Sequence, residues 1–369
     1  MLFFWILIGS GLLYFAQRWL FRTLWDRGLG VNLRFEHSAV TEGEAVILTE
    51  RCENRKWLPL PVFQYEYTLC RNFAAVTETD AKPMIFRRRL AMPGRRAARN
   101  RTTIETLPRG VYSVTNLNLS AMDLFYSARW ESSRISTARL TVYPAKLPAE
   151  KLSLPFRQLL GAVLTRRMAQ EDPFQLKGIR PYEIYDSMRL INWKASARTG
   201  ELKVNQFEYS TDEAIAFLLD LGSGSVADRE ELIRLVSSLS QLFLRRGVSV
   251  ALSANGRDCI TGRALRVPAG SGIGQQAAVD TSLARVKLEA SVTAELTDFL
   301  RDAAAGVSGR ALPVVLSADP GDGAASACAA ILGQQGGYFI SVGGKADVRQ
   351  ARSGIRVLSW TPAEGEVSA

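Results

Sequence analysis

The sequence predicts a multi-domain, membrane-anchored protein with an N-terminal transmembrane helix, an all-β sandwich and a C-terminal α/β domain of Rossmann type. An uncharged apolar run fills residues 1–16, alternating strand-like runs follow from Val31, and apolar strands alternate with helical spacing after Ala214. The expected segments are an anchor at 1–24, a β-sandwich at 31–146, a linker with a signature motif at 147–213, the α/β domain at 214–361 and a tail at 362–369.

The first segment has the composition of a membrane anchor. Sixteen to twenty-one helical residues are about 24–32 Å long, which approaches the thickness of a bilayer core. Arginines follow the apolar run and none precedes it, so the positive-inside tendency predicts a single-pass protein of the inner (plasma) membrane with a cytoplasmic body. A secretory signal peptide would need a basic start and a small-residue cleavage site, and neither is seen.

The second segment has the period-two pattern of strands, clearest in Val62–Leu69, and about seven strands without a helix predict a sandwich or barrel. Residues 86–101 hold seven arginines around an expected hairpin tip at Met92–Gly94. Contact with anionic lipid is one interpretation, at about 1 kcal/mol per basic residue, and a solvated loop is the other. Nucleic-acid binding is not favoured, because Phe86 is the only aromatic residue there for base stacking. The arginines assigned to the membrane surface are Arg87, Arg88, Arg89, Arg95 and Arg96.

Composition narrows the function classes. The net charge is +10 with a pI near 9.6, which indicates an anionic neighbour such as a membrane face. A single histidine, His37, excludes most histidine-based zinc sites and catalytic triads, and the four scattered cysteines fit a reducing compartment. We therefore expect no catalytic residues and no enzyme activity.

Residues 172–209 are dense in cations, anions and large aromatic side chains, which favours a partly buried ion-pair network. The run Gly178–Tyr182 and the run Asp186–Arg198 resemble the signature of the domain of unknown function 58 family, approximately G-x-R-x-Y followed by D-x-x-R-x-I-x-W-K-x-S-A-R. Similar landmarks of that family's β-domain occur at Arg109–Tyr112, Asp123–Phe125 and Val142–Pro144. The signature residues are Gly178, Arg180, Tyr182, Asp186, Arg189, Trp193, Lys194, Ser196 and Arg198.

This resemblance implies a membrane-anchored β-sandwich followed by a von Willebrand A-like domain. It also implies a MoxR-type AAA+ ATPase as a partner, and a transglutaminase-like membrane protein as a further one. The family commonly has two membrane helices, whereas this sequence shows one. From the residues alone, the motif could be a docking surface, a structural clasp between domains or, much less favoured, a Ser196–Lys194 active site.

The last domain begins with the buried strand Ala214–Leu219, which ends at Asp220. In von Willebrand A domains this strand end carries D-x-S-x-S, whose side chains bind a divalent ion. Here Asp220, Ser223 and Ser225 could supply some oxygen ligands for Mg²⁺, but glycine fills both expected serine positions. Loss of the metal site is the preferred interpretation, so no cofactor is expected. The glycine-rich run Gly270–Gly274 is interpreted as a loop rather than a phosphate site.

Three functions remain open. The favoured one is a membrane-tethered adaptor that presents its α/β domain to the ATPase in the assembly or maturation of a protein complex. The alternatives are a metal-dependent enzyme at Asp220 and an anionic-polymer or nucleic-acid binder that uses the arginine-rich stretch.

Overall fold

The computed structural model describes residues 2–71, 83–169, 171–184, 186–209, 214–288, 295–306, 311–319, 322–334, 336–342 and 354–360. The chain forms two compact units. The first comprises Met1–Ala145 with Leu283–Lys287, and the second comprises Lys146–Ser282 with Leu288–Ala369. The expected tail at 362–369 lies outside the described residues.

The first unit begins with a long helix, α1 (Leu2–Leu24), and nine strands follow it in the described residues up to Ala145. The strands are β1 (Leu29–Phe35), β2 (Ala39–Thr41), β3 (Val46–Asn54), β4 (Leu60–Arg71), β5 (Met84–Met92), β6 (Arg96–Ile104), β7 (Gly110–Met122), β8 (Arg129–Arg134) and β9 (Arg139–Tyr143). One sheet has the order β1-β3-β6, and a second has the order β2-β9-β7-β4-β5 with β8 paired to β7. The period-two pattern of β4 is the reason that its alternate side chains are buried.

Side chains of both sheets meet in one apolar core, which makes this unit a sandwich. Leu48 of the smaller sheet and Phe63 and Leu119 of the larger one belong to the same buried cluster. The turn at Met92–Gly94 differs from the expected hairpin tip. It carries the chain from one sheet to the other, because β5 pairs with β4 while β6 pairs with β3.

A buried carboxylate lies inside this sandwich. The Glu50 side chain is fully buried, and its oxygens accept hydrogen bonds from Tyr65, Tyr67 at 2.6 Å, Thr102 at 2.7 Å and Asn100 at 3.1 Å. Burial alone would raise the pKa of Glu50, but these four donors outweigh it and lower the pKa. The donors come from both sheets, so this charge links the two layers.

Helix α1 has two different halves. By length and hydropathy, Phe3–Leu24 could cross a membrane. Its first turns are exposed on all sides, whereas from Gln17 onward one side is packed against the sandwich. Gln17, Phe21 and Trp25 are buried at a spacing of four residues, which is one face of a helix. The predicted anchor is therefore a single helix whose last turns belong to the core of the β-domain.

The second unit begins where a linker was expected, and it contains regular structure. Helix α2 (Ala149–Ala169) places the Phe156 ring 5.0 Å from Phe243. A two-stranded antiparallel sheet follows, made by β10 (Glu171–Pro181) and β11 (Lys203–Tyr209). Between them lie a 3₁₀ turn (Met188–Leu190) and helix α3 (Trp193–Thr199).

The rest of this unit is an α/β fold. Its elements are β12 (Ala214–Leu219), α4 (Val226–Arg245), β13 (Ser249–Asp258), β14 (Ala264–Gly270), α5 (Gly272–Arg285), β15 (Val286–Lys287), α6 (Leu296–Gly306), β16 (Leu312–Ser317), α7 (Asp322–Leu332), β17 (Gly337–Val342) and β18 (Ile355–Trp360). Of these, β15 and the end of α5 fall in Leu283–Lys287, which groups with the first unit. Six strands have the order β14-β13-β12-β16-β17-β18, in which only β14 is antiparallel to its neighbour. Numbered from β12, this is the doubly wound order 3-2-1-4-5-6.

Helix α4 is buried along the face that its apolar spacing predicts, with Leu232, Val236, Leu239 and Phe243 fully buried. The glycine-rich run at 270–274, interpreted above as a loop, instead spans the end of β14 and the first turn of α5, so it occupies a strand–helix junction. It still lacks the Lys-Ser/Thr that would hold a phosphate.

Candidate functional site

The signature residues form a small module between β10 and α3, which we call the signature module (residues 178–205). It is built around one carboxylate. The Arg180 guanidinium donates to both oxygens of Asp186, and its Nη1–Oδ2 distance is 2.7 Å. The Glu183 backbone amide donates to the same carboxylate at 2.8 Å. Arg180, aided by that amide, holds the pKa of Asp186 below its ordinary value, so this ion pair persists at neutral pH.

A second set of contacts fixes α3. The Asn192 side chain accepts a hydrogen bond from the Ala195 amide at 2.9 Å, which caps the helix, and it donates to Asn205 at 2.7 Å. Ser196 is buried; its hydroxyl donates to the Asn192 carbonyl at 2.9 Å and accepts from the Lys203 amide at 2.9 Å. Gly200 ends the helix in the left-handed region at φ 73°. Asn192, Ala195 and Asn205 are contributors that the sequence analysis did not single out, although Asn before a short helix is a capping signal.

These contacts bear on the Ser196–Lys194 active site. The Ser196 hydroxyl is engaged on both sides by backbone groups, while Lys194 is exposed. A serine nucleophile needs a base within hydrogen-bond reach and an open approach, and here the hydroxyl joins α3 to β11 instead. The geometry assigns Ser196 to holding the module together.

Four of the other signature side chains are exposed, as is Met188 within the same segment. Trp193 is 68% exposed, and Met188 is 76% exposed. Arg189, Lys194 and Arg198 are also exposed, and among the described residues their side chains make no ion pair. Lys194 and Arg198 are four residues apart and so lie on one side of α3. Gly178 and Tyr182 are partly buried, the first in β10 and the second just after it, where the Tyr182 amide donates to the Leu202 carbonyl at 2.9 Å.

The motif therefore divides into two groups with different tasks. One group makes internal contacts that hold the segment in a single conformation, and it consists of Arg180, Asp186 and Ser196. Arg189, Trp193, Lys194 and Arg198 are exposed, and we call these four side chains the exposed face. Tryptophan and arginine are residue types that are enriched in binding hot spots.

The second candidate site is the strand end at Asp220. Its carboxylate is buried and accepts hydrogen bonds from Asn255 at 2.6 Å, Ser317 at 2.7 Å and the Gly222 amide at 3.0 Å. The Ser223 hydroxyl lies 3.5 Å from the same carboxylate. Parallel strands β12, β13 and β16 bring these groups together, because their carboxyl ends share one edge of the sheet.

The candidate metal ligands Asp220, Ser223 and Ser225 do not assemble into one site there. Ser225 caps α4: its hydroxyl accepts from the Asp228 amide at 3.2 Å, and its own amide donates to the Asp228 carboxylate at 3.1 Å, which makes a capping box. Donor hydrogens from Asn255 and Gly222 already face Asp220, and they would repel a cation that approached it. Among the described residues there is no group of three or more His, Cys, Asp or Glu side chains that could hold a metal ion. The residues present fit a hydrogen-bonded structural carboxylate better than a Mg²⁺ site.

The five arginines assigned to the membrane surface occupy two places. Arg87 and Arg89 lie along β5, where they donate to Glu66 at 2.6 Å and to Gln64 at 3.2 Å, and Arg88 donates to Thr102 at 3.2 Å. Arg95 and Arg96 are exposed at the turn between the two sheets. The two groups are therefore not one continuous patch on a hairpin.

The signature module lies in the part of the chain that matches a known protein family. Residues 178–334 match the family described as "Protein of unknown function DUF58". The match supports assignment to DUF58. It covers less than half of the 369 residues and begins at Gly178, the first signature residue. No curated protein matches the sequence.

Two solved structures show partial similarity to the chain. One is the CARDB domain of the PF1109 protein of Pyrococcus furiosus in complex with di-metal ions, with 9% identity over 31% of this chain and 93% of that one and a TM-score of 0.19. The other is the alkylpurine DNA glycosylase AlkC of Pseudomonas fluorescens bound to DNA with an abasic site analogue, with 13% identity over 31% of this chain and 30% of that one and a TM-score of 0.19. Identities and scores this low do not bear on the function of the DUF58 segment.

Proposed function

We propose that this protein is a membrane-tethered adaptor that acts by binding rather than by catalysis, and that its exposed face docks a cytoplasmic protein partner. The observation that carries the proposal is Trp193, which is 68% exposed on a helix that is capped and bonded into a fixed position. A large aromatic side chain held rigidly in water gives binding area at little cost in conformational entropy.

The division of the signature module supports docking over a purely structural clasp. A clasp would use its tryptophan and arginines in internal contacts, as Arg180 is used with Asp186. Instead Arg189, Trp193 and Lys194 are exposed, so these side chains contribute little to holding the module together. Their chemistry is available to another molecule.

The charge of the exposed face indicates the kind of partner. Arg189, Lys194 and Arg198 are three cations without a carboxylate partner among the described residues, so the complementary surface is acidic. We propose a MoxR-type AAA+ ATPase as that partner, on the basis of the family resemblance of the signature. The complex would serve the assembly or maturation of other proteins.

We further propose that the α/β part is a von Willebrand A-like scaffold. The strand order with one antiparallel edge strand supports this, as does the position of Asp220 at the end of the central strand. The hydrogen bonds that satisfy Asp220 favour a scaffold that works without a bound ion. Helix α1 would tether it as a single span, and the arginines after the apolar run favour a cytoplasmic body.

The test is co-purification from detergent-solubilised membranes, with mass spectrometry used to quantify the MoxR-type ATPase. Trp193→Ala removes the proposed anchor, and Ile273→Ala is its matched control because Ile273 is 92% exposed elsewhere in the same unit. Arg189→Ala is matched in the same way by Arg263→Ala, which removes an exposed arginine outside the module.

We expect the ATPase to be recovered with the wild type and both controls. Loss of a hot-spot tryptophan costs about 2 kcal/mol, so recovery should fall about 30-fold for Trp193→Ala. Asp186→Ala separates docking from clasping: it should reduce recovery and also speed amide exchange in β10 and β11, whereas Trp193→Ala should leave exchange unchanged. Equal recovery from all variants, or no ATPase with the wild type, contradicts the proposal.

A further inference from the structure

The first unit exposes a short apolar turn that no role described so far uses. Between β7 and β8, Leu124, Phe125 and Tyr126 are 49%, 55% and 61% exposed, and we call these three residues the apolar turn. Exposure of three consecutive large apolar side chains to water is unfavourable, since burial of apolar surface is what stabilises such residues. Consecutive exposed residues of this kind mark a contact surface.

The turn is held in this outward conformation by Asp123. Its carboxylate accepts hydrogen bonds from the Ser127 amide at 2.7 Å and the Ser127 hydroxyl at 2.5 Å, and its carbonyl accepts from the Tyr126 amide at 3.2 Å. Tyr126 adopts a φ of 56°, which a bulky residue seldom takes without such support. The side chains are therefore presented by a fixed loop.

Helix α1 runs directly beside the apolar turn. The side-chain amide of Gln17 donates to the Asp123 carboxylate at 3.1 Å, and the Tyr14 ring lies 6.1 Å from the Phe125 ring. Further along, Phe21 stacks on Trp130 at 6.1 Å. These contacts fix the height of the turn along the helix: Phe125 is level with Tyr14.

On the side of α1 away from the sandwich, exposed apolar side chains continue from the level of Tyr14 toward the end of the helix. Phe15 and Trp19 are 69% and 67% exposed. Lipid that covers these two side chains would therefore also surround the helix at the level of Tyr14. Trp19 and Arg18 are residues that favour the membrane–water interface. Tyr14 is five residues closer to the membrane than Trp19, or about 7.5 Å along the helix. That depth corresponds to the boundary between head groups and acyl chains.

We infer that the apolar turn inserts into the membrane interface next to α1, as a second lipid contact that holds the β-sandwich against the bilayer. This inference rests on the proposed membrane tether, but it makes a separate claim about the turn. Its partner is the lipid surface, and a protein partner at this turn is the alternative that the test must distinguish.

The experiment places an NBD fluorophore on single cysteines in the purified full-length protein, reconstituted into vesicles with anionic lipid. Cys70 and Cys259 are first changed to serine, because they are partly exposed, while Cys52 and Cys328 are buried and can remain. Probes are attached at Phe125→Cys, with Leu124→Cys as a second site if that variant aggregates. Leu12→Cys on α1 reports the tether itself.

The matched control is Ile135→Cys, an apolar residue that is 95% exposed just beyond the far end of β8. Quenching by lipids with a doxyl group near the head group is then measured. We expect several-fold stronger quenching at Phe125 than at Ile135, with a blue-shifted emission that appears only in vesicles.

The outcomes separate the two claims. Quenching at Leu12 with none at Phe125 and Leu124 overturns the inserted turn and leaves the tether standing, and a partner protein would then be the occupant. An absence of quenching at both α1 and the turn overturns the tether and this inference together.

Discussion

The buried Glu50 network allows a quantitative prediction about the β-sandwich. Replacing Glu50 with alanine leaves the hydroxyls of Tyr65 and Tyr67 in the core without an acceptor. Each unsatisfied buried donor costs about 1–3 kcal/mol, so the two hydroxyls together cost about 2–6 kcal/mol. We therefore expect Glu50→Ala to destabilise the sandwich by about 3–4 kcal/mol.

Hydrogen exchange with mass spectrometry on the full-length protein in detergent suits this measurement, because a two-unit chain has no single unfolding free energy. A loss of 3–4 kcal/mol corresponds to about 150- to 1,000-fold faster exchange in β3, β4 and β6. Strands β12 and β16 of the second unit should not change. The control is Glu131→Ala, whose side chain is 68% exposed. Acceleration below tenfold in the sandwich would refute the argument that Glu50 links the two sheets.

The pH dependence of this network has a definite sign. The folded-state pKa of Glu50 lies below its ordinary value of 4.5, so the carboxylate adds stability at neutral pH that is lost as the pH falls through the folded-state pKa. The advantage of the wild type over Glu50→Gln should therefore shrink in acid. An advantage that grows below pH 4.5 would contradict the assignment of Glu50 as an ionised core residue.

Three further predictions concern other buried groups. Burial raises the pKa of Cys52 and of Cys328 to about 12, so neither thiol should react with a maleimide at neutral pH until the protein is unfolded; rapid labelling of the native protein would contradict this. Lys146 contacts both oxygens of Asp280, at 2.8 and 2.9 Å, so Asp280→Ala should destabilise the second unit by about 2–3 kcal/mol, measured as faster amide exchange in α4, and acceleration no larger than that of a surface variant would contradict it. Ser225→Ala removes the cap of α4 and should cost about 1 kcal/mol, measured as faster exchange in its first turns; unchanged exchange would show that the hydroxyl does not cap the helix.

The regular parts of the fold could be predicted from residue patterns. The alternation in Val62–Leu69 lies inside β4, and the apolar run Ala214–Leu219 is β12. Both patterns predict a strand correctly because successive side chains of a strand point to opposite faces of its sheet. Alternation therefore indicates one buried face, and a continuous apolar run indicates two. The strand order of the α/β sheet was not available from periodicity, which shows which strands exist but not which ones pair.

Other features depend on contacts between distant residues, and sequence patterns do not carry them. Glu50 resembles any polar residue of a strand, and its burial becomes evident only when the tyrosines of the other sheet are placed beside it. Ser225 follows Asp220 at a spacing similar to a metal motif, but Asp228 three residues later makes it a helix cap. The linker expected at 147–213 includes α2, whose internal Pro155 weakens the helical signal. The signature residues were recognisable, but only the structure divides them into internal contacts and an exposed face.

The central claim is that the exposed face binds a partner, and the most direct test is the affinity of a purified MoxR-type ATPase for the full-length protein in lipid nanodiscs. Biolayer interferometry would compare the wild type with Trp193→Ala and with the matched Ile273→Ala. The account predicts wild-type affinity for Ile273→Ala, about 30-fold weaker binding for Trp193→Ala, and weaker binding at higher salt because the face is cationic. Indistinguishable affinities for Trp193→Ala and the wild type would contradict it.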